Sequence, residues 1–134
     1  MSENLELVRS IYAGWERGDW SSADWADPGI EYTVVAFGPA DGTSRGLDSM
    51  ASAFRAWLSA WADWKLMAEG FTALDEERVL VRFHFTGRGK ASSVDVGRLR
   101  TEGATLFHVF RGRVTRIIQY GELDRALADL GMEE

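Results

Sequence analysis

With 134 residues, no Cys and a net charge of −6, the chain has the length of one domain and cannot form a disulfide scaffold, a zinc ribbon, an iron–sulfur centre or a thiol nucleophile. The acidic balance argues against a general nucleic-acid binder, and no apolar run approaches the ~18 residues that a membrane-spanning helix needs. The opening Met1-Ser2-Glu3-Asn4-Leu5-Glu6 lacks the basic and apolar regions of a secretory signal, so a single soluble domain over residues 1–134, cytoplasmic and off the membrane, is expected.

Leu7, Val8, Ile11, Tyr12 and Trp15 recur at helical spacing, with Glu6, Arg9, Glu16 and Arg17 on the opposite face. Gly18-Asp19 stops this first helix, and a short second one is predicted from Trp20 to Ala26. Asp27-Pro28-Gly29 ends it, because the residue before a proline is pushed out of the α region. Ile30 to Phe37, rich in Val, Ile, Tyr and Thr, reads as a strand, and 38–42 as a loop. Leu47, Met50, Phe54, Trp57, Leu58 and Trp61 form the longest helical stripe, with Asp48 in its first turn, where the helix dipole favours a negative charge.

Beyond Trp64 the period falls to two. Strands are predicted over 64–74, 79–89, 98–110 and 114–120, with Asp75-Glu76-Glu77-Arg78 and Arg111-Gly112-Arg113 as hairpin turns. Leu123, Leu127 and Leu130 mark a last helix closed by Gly131. The outcome is an α+β fold: a curved antiparallel sheet wrapped around three helices from the N-terminal half, followed by a short C-terminal helix. Val79, Val81, Phe83 and Phe85 share one face of their strand, and Leu80, Arg82, His84 and Thr86 the other. The next strand is apolar on both faces, so its second face needs a cover, and a homodimer through the sheet is expected.

Charge is uneven. Residues 1–77 carry 5 basic and 14 acidic groups, residues 78–116 carry 9 and 2, and the arginines of the long strands either ring the sheet edges or steer an anion. The phosphate-cradling and nucleophile-elbow motifs are absent: Gly87-x-Gly89 has Ser92 where a third glycine belongs, and Gly89-Lys90 is followed by Ala91. The only histidines, His84 and His108, have no ligand spacing, so neither a metal nor a cofactor is expected. They read as surface or interface groups, or as a general base. Six Trp, all within residues 15–64, fill the core or line an apolar pocket.

Four pieces in this order carry a family resemblance: Gly14-Trp15-Glu16-Arg17-Gly18-Asp19-Trp20, then Trp25 to Tyr32, then Arg45-Gly46-Leu47, then Gly112-Arg113-Val114 through Tyr120, Asp124 and Leu127 to Gly131. Over nearly its whole length the chain resembles the nuclear transport factor 2-like superfamily, and within it the SnoaL-like proteins of polyketide cyclase and ketosteroid isomerase type. The resemblance implies a cone-shaped roll of cystatin-like architecture around a central pocket, commonly dimeric. It names no reaction, since the superfamily spans isomerases, cyclases, lyases and pure binders. The residues of ketosteroid isomerase carry over poorly: the base falls at Thr33, the helix tyrosine at Ile11 beside Tyr12, and the strand aspartate at Thr105. The same register turns Glu31, Thr33, Thr105, Phe107, Ile117 and Gln119 inward, with Trp15, Phe54, Trp57 and Phe83 as further lining. The leading expectation is a pocket for a small apolar or aromatic molecule. The alternatives are a cofactor-independent lyase, isomerase or cyclase with Glu31 as base and Tyr12 or Gln119 as electrophile, and an interaction module using the exposed sheet face. A one-residue slip of register would reverse the inward set.

Overall fold

The computed structural model describes residues 2–19, 24–36, 41–59, 61–89 and 101–132. Helix α1 (Ser2–Glu16) leads into strand β1 (Ala26–Val35), a short β2 (Gly42–Arg45), helix α2 (Leu47–Ser59), strands β3 (Trp61–Ala73), β4 (Arg78–Gly89), β5 (Thr101–Phe110) and β6 (Arg113–Tyr120), and helix α3 (Leu123–Leu130). The six strands form one curved, open sheet in the order β2-β1-β6-β5-β4-β3. Every pairing is antiparallel except β1 with β6, so the sheet is mixed rather than purely antiparallel. No helix among the described residues is long and apolar enough to cross a membrane.

The predicted stripe of α1 is the buried one: Val8, Ile11, Tyr12 and Trp15 face the sheet. The helix closes as a Schellman motif. Gly18 takes φ +83°, its N–H reaches the Trp15 carbonyl, and the Asp19 N–H reaches that of Gly14. Helix α3 closes in the same way at Gly131, as predicted. Both hairpin turns form where expected. The Asp75 carboxylate accepts the Glu77 and Arg78 N–H groups, and Arg111 and Gly112 both take positive φ.

Three boundaries differ from the sequence reading. The predicted second helix falls largely outside the described residues, and its last residue, Ala26, is already strand. Asp27-Pro28-Gly29 does not precede β1; it interrupts the pairing of β1 with β6 between Ala26 and Glu31. Helix α2 stops at Ser59, and Trp61 opens β3 opposite Gly89, because the Trp and apolar positions around 57–66 satisfy a helical stripe and a strand equally well.

The strands divide their side chains between two cores. The inner face packs Val79, Val81, Phe83, Phe85, Phe107 and Ile117 against α1 and α2. The outer face packs Leu80, Ala104, Leu106, Ile118 and Tyr120 against Leu123, Ala126 and Leu127 of α3. The alternation predicted for β4 and β5 therefore holds, and α3 supplies part of the cover expected from a second subunit. Gly103 is required by the tight packing there: a Cβ would stand 2.4 Å from the Tyr120 carbonyl and 2.8 Å from the Phe83 ring.

Candidate functional site

A row of uncharged polar side chains runs through the inner core. Tyr12 comes from α1, Thr105 from β5, Gln119 from β6 and Tyr32 from β1, and all four are buried. The Tyr12 hydroxyl lies 2.9 Å from Thr105 Oγ1, and Thr105 Oγ1 donates to Gln119 Oε1 at 2.6 Å. An amide oxygen can only accept, so the single Thr105 proton is committed to Gln119, and Tyr12 is the donor in its bond to Thr105. The Gln119 side chain also hydrogen-bonds Tyr32, an interaction that lowers the phenol's pKa and so opposes the effect of burial.

Aromatic rings enclose this row. Trp15 stacks on Phe107 at 5.8 Å and lies 5.2 Å from the Tyr12 ring, and Phe54 meets the Tyr32 ring edge-on at 5.0 Å. Burial pushes the phenols of Tyr12 and Tyr32 above their ordinary value, and their hydrogen bonds with Thr105 and Gln119 only partly oppose it. The row is therefore neutral at physiological pH. It can donate and accept hydrogen bonds but holds no fixed charge.

Of the residues predicted from sequence, Tyr12, Trp15, Phe54, Phe83, Thr105, Phe107, Ile117 and Gln119 are gathered here, in the inner core. Trp57 is half-buried on α2. Glu31 and Thr33 are not part of the site. Strand β1 turns Ile30 and Tyr32 inward, so its odd positions face out. The Glu31 carboxylate, 28% exposed, bridges Arg45 at 3.0 Å and Arg116 at 3.3 Å, and Thr33 bonds Thr43 at 3.0 Å. Glu31 is thus an ion-paired surface group rather than a lone carboxylate in an apolar pocket, and the geometry that would make it a base is absent. The residue that sequence reasoning missed is Tyr32. The alternation Ile30-x-Tyr32-x-Val34 carried the signal.

Both histidines lie on the outer face. His84 Nδ1 is 3.5 Å from the Glu69 carboxylate, and burial, with Arg116 and Arg78 nearby, pushes the His108 pKa down. Among the described residues no three His, Asp or Glu side chains are grouped to hold a metal ion. A separate open groove of about 600 Å³ lies between the start of α1 and the two hairpin turns. Its lining includes Glu3, Asp75, Glu76, Glu77, Phe110 and Arg111.

The SnoaL-like domain family matches residues 8–117. The chain belongs to that family. No curated protein matches it. Among solved structures, a nuclear transport factor 2-like protein of unknown function from Burkholderia pseudomallei has a TM-score of 0.76 at 17% identity, covering 96% of this chain and 97% of that one. A protein from Xanthomonas campestris named as a candidate polyketide cyclase has a TM-score of 0.71 at 21% identity, over 95% and 96%. TerC, co-crystallised with polyporic acid, has a TM-score of 0.72 at 17% identity, over 96% and 97%. Identities this low establish a shared fold and carry no reaction with them.

Proposed function

We propose that this SnoaL-like domain binds a small apolar or aromatic molecule on the inner side of its sheet, beside the Tyr12–Thr105–Gln119 row. The supporting observation is the row itself. Three polar side chains linked at 2.9 and 2.6 Å sit among Trp15, Phe54, Phe83 and Phe107, where apolar residues of similar shape would satisfy packing alone. Ligand sites combine predominantly apolar walls with a few placed polar groups, and this core has that composition. The candidate cyclase and the polyporic-acid complex belong to proteins of the same fold, which agrees with an aromatic ligand.

The proposal is tested by tryptophan fluorescence, because Trp15 stands within the site. Titration with naphthalene- and anthraquinone-sized compounds is expected to give saturable one-to-one quenching. A ligand-concentration-dependent rise in melting temperature should accompany it, as linkage requires. Quenching that stays linear up to the solubility limit for every compound, with no thermal shift, would sink the proposal.

A further inference from the structure

Three arginines lie on one line across the outer face of the sheet. Through β2, β1, β6, β5 and β4 the register sets Arg45 opposite Glu31, Glu31 opposite Arg116, Arg116 opposite His108, and His108 opposite Arg78. Neighbouring strands are about 4.8 Å apart, so the five residues form a single transverse row. The row contains one unit twice. In the first, the Glu31 carboxylate on β1 lies between arginines on the two flanking strands, Arg45 at 3.0 Å and Arg116 at 3.3 Å. In the second, Arg116 on β6 and Arg78 on β4 again flank a central strand, but the residue between them is His108, which brings no negative charge. Arg116 is paired with Glu31 and Arg78 with Asp75 at 2.8 Å, one carboxylate each, and a guanidinium has five N–H donors to use. The surroundings of His108 are positive in spite of nearby acids. Burial, then Arg116 and Arg78, push its pKa down, and Asp75 and Glu77 each oppose them more weakly. Two residues along the same face of β5, about 7 Å away, Phe110 is 50% exposed and carries the Arg111 guanidinium 5.1 Å from its ring centre.

We propose that Arg78, His108 and Arg116 form a second site, on the outer face, for the carboxylate of a small aromatic acid whose ring lies against Phe110. The bound carboxylate repeats between Arg116 and Arg78 the position that Glu31 holds between Arg45 and Arg116. The planar guanidinium fork matches carboxylate geometry, and the half-buried imidazole adds an N–H donor at the centre. The exposed Phe110 ring gives the apolar end of the acid a surface to cover. The basic balance of residues 78–116 thereby gains a use in a chain whose net charge is −6. The site is independent of the inner one, which holds no charge and lies on the other side of the sheet.

The test adds benzoate to the full chain, with acetate and benzamide as the analogues that lack the ring and the charge. Chloride holds the ionic strength constant. NMR signals of the His108 ring report the outer site, those of His84 on the same face are the internal control, and tryptophan fluorescence reports the inner site. Benzoate is expected to move the His108 signals saturably while His84 and the fluorescence stay level. It should bind about five- to tenfold more tightly than either analogue, the effect of one modest interaction. It should also raise the His108 pKa, because an anion beside the ring favours its charged form. His108→Glu places the missing acid within the chain and should abolish benzoate binding. The wild-type signals decide the question if that variant fails to fold. The site is overturned by a His108 response that never saturates, by equal affinity for acetate, benzamide and benzoate, or by unchanged benzoate binding in His108→Glu. Benzoate that quenches tryptophan and leaves His108 unmoved overturns it too, and assigns the acid to the inner site.

Discussion

Glu31 and Tyr32 are neighbours on one strand, yet they sit in opposite chemical regimes. On the outer face Glu31 is held between Arg45 and Arg116, where water screens the charges and the ion pairs are open to it. On the inner face Tyr32 joins a row without any formal charge, closed off by aromatic rings. The outer arrangement tolerates charge because solvent is near. The inner one excludes it, because an unpaired charge in that core would be prohibitively costly, whereas neutral groups can satisfy each other in sequence. A neutral ligand is therefore sought on the inner side, although the outer side carries the more conspicuous residues.

The same substitution on the two faces gives the sharpest contrast. Thr105→Val keeps the side-chain shape but leaves the Tyr12 hydroxyl without its acceptor and Gln119 Oε1 without its donor, both in a fully buried setting. A cost of about 2–4 kcal/mol is expected from two unsatisfied buried groups, read as a lowered urea midpoint with unchanged slope. Thr33→Val removes a 3.0 Å hydroxyl contact to Thr43 on the exposed face and should stay within ~0.5 kcal/mol of wild type. Equal effects would mean that the inner row is solvated and that the distinction between the faces is mistaken.

Alkaline titration probes the inner row next. Phenols in an unfolded chain ionise near ~10. Tyr12, Tyr32 and Tyr120 all have their pKa values raised, chiefly by burial, so above that pH the native chain holds more protons than the unfolded one. Their contribution to stability is then complete below pH ~10 and is lost as pH rises above it. Phenolate absorbance should remain flat through the ordinary range and then appear for all three tyrosines together as the chain unfolds. A gradual titration of the native protein centred near the ordinary value would contradict the burial of Tyr12 and Tyr32.

Much of this architecture was legible because its signals are local. The stripe of α1, the alternation of β4 and β5, the Arg111-Gly112 turn and the αL position of Gly131 each lie within a short window. Parity on β1 was not local. The inward register came from the ketosteroid isomerase resemblance, which puts Glu31 and Thr33 inside, and in this chain β1 turns Ile30 and Tyr32 inward instead, one residue away. Strand β2, four residues with no apolar pattern, had nothing to announce it, and the parallel pairing of β1 with β6 joins segments far apart in sequence. The site was partly legible for the same reason. Thr105 and Gln119 face each other across β5 and β6, whose alternation was readable, and their junction with Tyr32 depends on the one strand that was misread.

The smallest effect is expected from the residue that looked most reactive in the sequence. Glu31→Gln keeps the shape of the side chain and removes its charge from between Arg45 and Arg116, which are themselves exposed. Exposed ion pairs of this kind contribute at most ~1 kcal/mol, because solvent screens the attraction and two long side chains must be ordered to make it. The variant should unfold within ~1 kcal/mol of wild type, and the difference should shrink further in ~1 M salt, where the screening length is only about 3 Å. Because Glu31 and the inner row lie on opposite sides of β1, the affinity for an aromatic ligand, read by tryptophan quenching, should not follow that loss. If Glu31→Gln weakened that binding severalfold while stability stayed level, the charged row of the outer face would be coupled to the inner site through the strand, and the two faces would have to be treated as one.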